Sequence, residues 1–215
     1  MQRMYEAVFF DFGGVIVGSP FEAFNRYEAA HGLPRDFIRS VNSVNADGNA
    51  WALLERNEID PAAFDTMFAD ESQSLGHRVA GAVVLGLLHG DVRPEMVRAL
   101  DLLRSSGYAL ACLTNNVAVT DPDRSRGMAP ILDRFDHVIE SSKVGVRKPE
   151  RRFYEIACER AGVAPSACVF LDDLGINLKT ARAIGMATIK VTSGAQALGE
   201  LAAMLAMPAL ADLVP

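Results

Sequence analysis

Short apolar runs without polar alternation mark the strand-forming parts of this chain. They are Ala7–Asp11, Tyr108–Thr114, Asp136–Glu140, Ala167–Asp172 and Ala187–Val191. Most of them are apolar at successive positions, which is typical of strands that are covered on both faces of a sheet. The pattern therefore predicts a sheet buried between two layers.

Helical segments separate the later runs, and each of them stops at a glycine. These segments are Pro94–Ser106, Pro149–Ala161 and Ile176–Ile184. Strands that alternate with helices of this length predict an α/β fold, a Rossmann-like parallel sheet with flanking crossover helices. A final segment rich in Ala, Leu and Met, Ala195–Leu210, predicts one or two closing helices that pack on the core.

A long helical stretch interrupts this alternation after the first run. Residues Phe21–Leu88 show helical segments broken by Pro and Gly. The stretch is too long for a connection inside a compact sheet domain. We therefore predict an all-helical cap over residues 18–90, inserted into an α/β core formed by residues 1–17 and 91–215.

Composition and charge narrow the possible partners. The chain has 27 acidic and 21 basic residues, a formal net charge of −6, and no basic stripe interleaved with aromatic residues. This balance favours a small-molecule substrate over nucleic acid or an anionic membrane. The apolar stretches are too short or too interrupted for a signal peptide or a membrane span. Three cysteines without metal or redox spacing fit a reducing compartment, so we expect a cytoplasmic protein.

Polar residues follow several apolar runs at the points where the strands would end. They are Asp11, Thr114, Asn115, Asp172 and Asp173, with Lys148 placed before a later helix. The carboxyl ends of parallel strands meet at one edge of a sheet, where ligands bind. Mg²⁺ binds one or two carboxylates and keeps water at its other coordination positions. A lysine and free backbone N–H groups can bind a phosphoryl group, and an aspartate can attack its phosphorus. These groups together favour phosphoryl chemistry.

The motifs DFGGV, LTNN, RKP and FLDDLGINLKTAR, taken in this order, resemble the four motifs of the haloacid dehalogenase-like superfamily. The position of the cap resembles its helical-cap branch, and the last motif is particularly similar to that of phosphatase domains related to the amino-terminal half of soluble epoxide hydrolase. The resemblance spans roughly residues 7–191, with the cap similar only in position and helical character. It implies a Mg²⁺-dependent phosphohydrolase acting on a small phosphorylated metabolite.

The resemblance also implies how phosphate would be handled. Asp11 would be the nucleophile that forms an aspartyl-phosphate. The hydroxyl of Thr114 and the backbone N–H of Asn115 would hold phosphoryl oxygens. Lys148 would neutralise the charge that Asp11 and the phosphate share.

The same resemblance implies a magnesium site. Asp11 and the backbone carbonyl of Gly13 would be ligands, and Asp173 would bind the ion directly. Asp172 would act on the metal through water or by orienting its neighbours. Asn177 would hold in place the loop that carries Asp172 and Asp173.

One position departs from the superfamily pattern. Gly13 stands where these phosphatases usually carry a second aspartate, which protonates the leaving group and then activates water. Such acid–base help is typically worth about 10² to 10⁴ in rate. Some superfamily members also lack this acid. Asp47, Glu55 and His89 are candidates to replace it, by location only.

Three functions therefore stay open. A phosphatase is favoured; a weak pseudoenzyme or phosphoester-binding regulatory protein is supported by Gly13 alone. A 2-haloacid dehalogenase needs no metal, so the paired Asp172 and Asp173 count against it. Arg147 is in a position to contact substrate, but we expect a solvated side chain there.

Overall fold

A five-stranded parallel sheet organises the residues that the structure describes, which are 3–88, 90–117 and 122–214 of this computed structural model, with the side chains of 122–126 left out. The strand order is β3-β2-β1-β4-β5. The strands are β1 (Ala7–Phe10), β2 (Ala109–Thr114), β3 (His137–Glu140), β4 (Cys168–Asp172) and β5 (Ala187–Lys190). The predicted Rossmann-like parallel α/β fold is confirmed.

The central strand β1 explains why its sequence is continuously apolar. It pairs in parallel with both neighbours, with Ala7 opposite Ala109 of β2 and Cys168 of β4. Val8 and Phe10 contribute to the apolar cluster on one face of the sheet, while Ala7 and Phe9 contribute to the cluster on the other. A strand covered on both faces gains from an apolar residue at every position.

Helices cover both faces of the sheet and fill the stretch after β1. They are α1 (Pro20–Ala30), α2 (Phe37–Ser43), α3 (Ala50–Glu55), α4 (Pro61–Ser74), α5 (Gly81–Gly86), α6 (Pro94–Ser105), α7 (Pro122–Leu132), α8 (Ser141–Val144), α9 (Arg151–Ala161), α10 (Gly175–Ala183) and α11 (Gly194–Leu205). Helices α6 and α11 pack on the face of Val8, and α9 and α10 on the face of Ala7. Among the described residues, no helix combines the length and apolarity needed to cross a bilayer.

One predicted helix start is wrong. The helix predicted from Pro149 begins at Arg151, because a turn comes first in which the Glu150 N–H donates to the Arg147 carbonyl at 2.7 Å. The closing segment, predicted as one or two helices over Ala195–Leu210, contains two. Helix α11 stops at the left-handed Ala206 (φ 50°), and a short 3-10 helix, Pro208–Leu213, follows.

Helices α1–α5 lie in the stretch predicted as a cap and surround an apolar cluster of their own. Its most buried members are Phe24, Ile38, Val41, Ala50, Phe64, Phe68 and Val84. The two linkers to the core run side by side, with the Gly18 N–H donating to the Asp91 carbonyl at 2.8 Å. A Cβ at Gly90 would collide with the backbone of Gly18, so this close approach requires glycine. We refer to residues 18–90 as the cap and to the remaining described residues as the core, and these bounds stay a prediction.

Candidate active site

The carboxyl edge of the sheet brings one buried lysine among three aspartates. The Nζ of Lys148 lies 2.8 Å from Oδ1 of Asp11 and 2.9 Å from Oδ2 of Asp172. Asp11, Asp172 and Asp173 each offer an oxygen such that these atoms lie within 4.8 Å of one another. Asp11 follows β1 and Asp172 ends β4, and these strands are parallel neighbours, so the topology alone places both carboxylates at one edge.

Lys148 is held by its backbone as well as by its charge. The side-chain Oδ1 of Asn115 accepts the Lys148 N–H at 2.8 Å, and its Nδ2 donates to the Lys148 carbonyl at 2.9 Å. The lysine is only 1% exposed. The sequence suggested a use only for the backbone N–H of Asn115, so this side-chain clamp was missed. No local pattern signals a contact between residues 33 positions apart.

Asp172 is fully buried and its carboxylate is surrounded by donors. Besides Lys148, it accepts the Leu174 N–H at 2.7 Å and both oxygens accept from Nδ2 of Asn177 at 3.0 to 3.1 Å. The Asn177 carbonyl in turn accepts the Tyr154 hydroxyl at 2.9 Å. This arrangement suits a carboxylate that orients its neighbours more than one with open coordination positions.

Asp173 lies beside Gly13 and Gly14, which follow Asp11 in the chain, and it is less buried than Asp172. Gly14 has a positive φ of +75°, and a Cβ there would collide with the Asp173 carboxylate. Glycine is therefore needed at 14 for both conformation and space. A Cβ at Gly13, in contrast, would meet nothing within 4 Å. Ser19 donates to Asp173 at 3.4 Å, a contact that the sequence did not suggest.

Thr114 is the last residue of β2 and lies at the same edge, half-buried. The loop that follows is fixed by Asn116, whose N–H donates to Ser141 Oγ at 3.1 Å and whose Nδ2 donates to Glu140 at 2.9 Å. These bonds tie the end of β2 to the end of β3 and hold the backbone beside Thr114 and Asn115.

The charges in this cluster do not balance. Burial opposes the charged ammonium of Lys148, but Asp11 and Asp172 outweigh it and raise its pKa well above the ordinary value. Burial also raises the pKa of Asp11 well above its usual range, which Lys148 opposes and Asp172 reinforces. Burial and the nearby Asp172 raise the pKa of Asp173 to about 6. Three carboxylates share one ammonium, so the cluster favours an added cation.

A glutamate of the cap reaches the core beside Lys148. Glu55, at the end of α3, accepts hydrogen bonds from Nε of Arg147 at 2.5 Å and from Nδ2 of Asn115 at 3.2 Å. Arg147 also donates to the Ala46 carbonyl at 3.0 Å, and its side chain is only 14% exposed. The expectation of a solvated arginine is therefore wrong, because the cap supplies a buried carboxylate opposite it.

The candidates for the missing acid–base group have different surroundings. Asp47 is exposed, and its carbonyl accepts a bond from Arg56. Glu55 is 5% exposed; burial raises the pKa of its carboxyl, while Arg147 lowers it. His89 lies outside the described residues. The structure does not bring Asp47 into the cluster around Lys148.

The fold agrees with what is found by comparison with known proteins. The profile of haloacid dehalogenase-like hydrolases matches residues 5–185. The chain is 33% identical to mouse acyl-CoA dehydrogenase family member 10 over 96% of its length, and 31% identical to mouse bifunctional epoxide hydrolase 2 over 89%. It therefore belongs to the haloacid dehalogenase-like hydrolase family, which confirms the resemblance in the motifs. It spans only 20% and 37% of the lengths of these two relatives.

A shorter relative and two solved structures complete the comparison. Sesquiterpene phosphatase astK of Aspergillus oryzae is 27% identical, over 89% of this chain and 92% of its own. A haloacid dehalogenase family enzyme of Bacteroides thetaiotaomicron was solved in complex with magnesium and inorganic phosphate. Its structure has a TM-score of 0.59 at 20% identity, over 88% of this chain and 96% of its own. The L-2-haloacid dehalogenase of Xanthobacter autotrophicus has a TM-score of 0.61 at 20% identity over 98% and 87%. Both structures share the fold.

Proposed function

We propose that this protein hydrolyses a small phosphoester through an aspartyl-phosphate on Asp11, with Mg²⁺ as its cofactor. The observation that carries the proposal is the buried Lys148 ammonium, held 2.8 Å from Asp11 and 2.9 Å from Asp172 at the carboxyl edge of the sheet. A fixed positive charge beside a potential nucleophile is suited to a substrate that arrives with negative charge.

The donor set fits a hard divalent cation. Asp11, Asp172 and Asp173 supply more negative charge than Lys148 balances, and Mg²⁺ prefers oxygen ligands while keeping several waters. Asp11, Asp173 and the Gly13 carbonyl would hold the ion. Asp172, whose oxygens already accept bonds from Lys148, Leu174 and Asn177, would act by orientation or through water. When bound, the ion supplies charge neutralisation around the phosphoryl oxygens.

The chain's own residues divide the reaction into two steps. A carboxylate oxygen of Asp11 forms a bond to phosphorus as the bond to the leaving-group oxygen breaks. Lys148, the Thr114 hydroxyl and the Asn115 N–H stabilise the charge on the phosphoryl oxygens. Water then attacks the aspartyl-phosphate, releasing inorganic phosphate and restoring Asp11. Gly13 has no side chain to move a proton in either step.

The relatives support a phosphorylated substrate. Sesquiterpene phosphatase astK covers nearly the same length of chain, and the Bacteroides enzyme binds magnesium and phosphate in a similar fold. A small metabolite rather than nucleic acid fits the net charge of −6. The cytoplasmic location stays a prediction. The three cysteines are free and buried, which is compatible with a reducing compartment.

One observation favours the second candidate, a weak enzyme or a phosphoester-binding regulatory protein. Gly13 offers no acid–base group, and the space that its Cβ would enter is open within 4 Å. Both steps would then be slow, and phosphoenzyme breakdown would suffer as much as its formation.

Rapid-mixing kinetics with p-nitrophenyl phosphate tests the proposal. The parent protein in Mg²⁺ should release p-nitrophenol in a burst, then turn over slowly, and a chelator should abolish both phases. Asp11→Asn should lose at least about 10³-fold in rate, the scale of losing a nucleophile. The exposed Asp212→Asn is the matched control. A phosphoryl group on the Asp11 peptide by mass spectrometry would support the intermediate. Turnover no faster than that of Asp11→Asn, on this and other phosphoesters, would favour the binding protein.

A further inference from the structure

Glu55 is a buried charge that belongs to the cap but finds donors in the core. Its side chain is 7% exposed. Oε2 accepts from Arg147 and Asn115 of the core, while Oε1 accepts the Trp51 indole N–H of its own helix at 2.8 Å. Burying an ion pair gives little net stability, because the cost of removing both charges from water offsets their attraction. The arrangement therefore calls for an explanation beyond stability.

The amide of Asn115 connects this glutamate to the catalytic lysine. Its Nδ2 is shared between Glu55 Oε2 at 3.2 Å and the Lys148 carbonyl at 2.9 Å, while its Oδ1 accepts the Lys148 N–H at 2.8 Å. These three bonds define one orientation of the amide. Lys148 then extends from this clamped backbone to Asp11 and Asp172.

Arg147 strengthens the same connection from the neighbouring position. It donates to Glu55 and to the Ala46 carbonyl, both in the cap, and it directly precedes Lys148 in the chain. Two consecutive residues of the core are thus held by the cap, one through its side chain and one through Asn115. The contacts join residues 60 and 92 positions apart.

We propose that Glu55 is a positioning residue through which the docked cap holds Asn115 and the Lys148 backbone in the arrangement needed for phosphate. This deepens the proposed function and rests on it where rates are concerned. Glu55 acts through other residues, since both of its oxygens are engaged by N–H donors rather than aimed at the reacting atoms. Binding of the cap and alignment of the lysine are coupled events.

Variants at Glu55 measure this coupling. Glu55→Gln should lower kcat by about tenfold, the worth of one hydrogen bond to a charged group. Its KM should change less, because alignment matters most in the transition state. Glu55→Ala should lose more than Glu55→Gln. Glu58→Gln is the matched control, as Glu58 is paired with Arg56 inside the cap at 2.6 Å.

A readout without turnover separates this inference from the proposed function. Amide hydrogen exchange at Lys148, followed by NMR, should be faster in Glu55→Ala than in the parent and unchanged in Glu58→Gln. That difference should appear even if the protein hydrolyses no phosphoester at all. An unchanged Lys148 exchange rate in a folded Glu55→Ala protein would overturn the positioning role.

A double variant separates positioning from stability. Glu55→Leu with Arg147→Met replaces the buried pair with apolar side chains, which is often neutral or stabilising. We expect a melting temperature near that of the parent, with kcat still reduced and Lys148 exchange still fast, because the Asn115 amide has lost its bond to Glu55 and keeps only those to Lys148. A double variant with parental kcat and parental exchange would contradict the proposal.

Discussion

The sheet edge and the cap hold their buried polar groups in different ways. At the edge, Lys148 pairs with Asp11, which follows β1, and with Asp172 of β4, so its partners come from separate strands of the sheet. In the cap, Glu28 of α1 is equally buried and accepts the N–H groups of Asp36 and Ile38 at the start of the next helix, α2. Glu28 thus stabilises the junction of two successive helices, whereas the groups at the edge concentrate charge that the core alone does not balance.

This difference suggests that the core and the cap have different roles. Under the proposed function, the core would supply the reacting carboxylate and the positive charge that binds phosphate. The cap surrounds its own apolar cluster and reaches the core through a contact such as that of Glu55 with Arg147. We therefore expect variants at the sheet edge to change stability and chemistry more strongly than variants in the cap.

Removing the central ammonium should break the edge most severely. Lys148→Met keeps the apolar stem but leaves three carboxylates without their partner. We expect a loss of about 3 to 5 kcal/mol in the free energy of unfolding near pH 7, the usual cost of breaking a buried ion pair. Denaturant titration in chelator measures it.

The exposed Lys179→Met is the control, and should change stability by no more than about 0.5 kcal/mol. The loss at Lys148 should shrink near pH 5, because Asp173, whose pKa burial raises to about 6, is then mostly protonated and adds less repulsion. Equal stability of the two variants would mean that Lys148 does not hold the edge together.

A carboxyl group added at position 13 tests whether the core can perform acid–base chemistry without the cap. A Cβ at Gly13 meets nothing within 4 Å, so Gly13→Asp should fit. Hydrolysis of phenyl phosphate should rise by about 10²-fold, the lower range for a general acid–base group. Stopped-flow kinetics should show a smaller gain for p-nitrophenyl phosphate, whose leaving group needs less protonation.

Gly13→Ala is the matched control, because it adds the Cβ without the carboxyl and should show no such gain. No gain for either substrate, with chemistry rate-limiting, would indicate that another group already supplies the proton.

The smallest expected effect concerns pH and metal. The pKa of Asp173 is about 6 in the folded protein, against 3.8 for a free side chain, so the folded state retains a proton that the unfolded chain releases. Without metal, stability should therefore fall as pH rises from about 4 to about 6, by up to about 2 to 3 kcal/mol. Mg²⁺ should restore stability above pH 6 and do little near pH 5, because proton and metal compete.

Thermal unfolding at several pH values, with Mg²⁺ or chelator, measures this dependence. Asp173→Asn should remove most of the slope. A Mg²⁺-induced gain in melting temperature that is the same at pH 5 and pH 7.5 would argue against these carboxylates as the metal site.

Much of the fold and part of the site could be predicted from local sequence. Each strand lies within one residue of its predicted run, because a buried parallel strand needs consecutive apolar residues. Asp11 and Asp172 were expected at one edge because both follow such runs, and the structure places them around Lys148. Their roles in catalysis, like the bounds of the cap, remain predictions.

The errors of prediction share a cause. Arg147 was expected in solvent, but its side chain pairs with Glu55, which lies 92 positions away and which no local pattern points to. The side chain of Asn115 was overlooked for the same reason, since its partner Lys148 lies in another loop. Helix α9 begins after Pro149 because the turn before it closes on Arg147, which propensity does not reveal.

The sequence by itself determined where strands and helices form, which residues end the strands, and hence which chemistry is possible. Hydrophobic period and glycine stops act over a few neighbouring residues, so they can be read directly. Only the tertiary structure decided that Lys148 would be buried between two carboxylates and clamped by Asn115, and that Glu55 of the cap would meet Arg147. Those contacts depend on how separate elements pack, and the interaction energies become defined only when the elements meet.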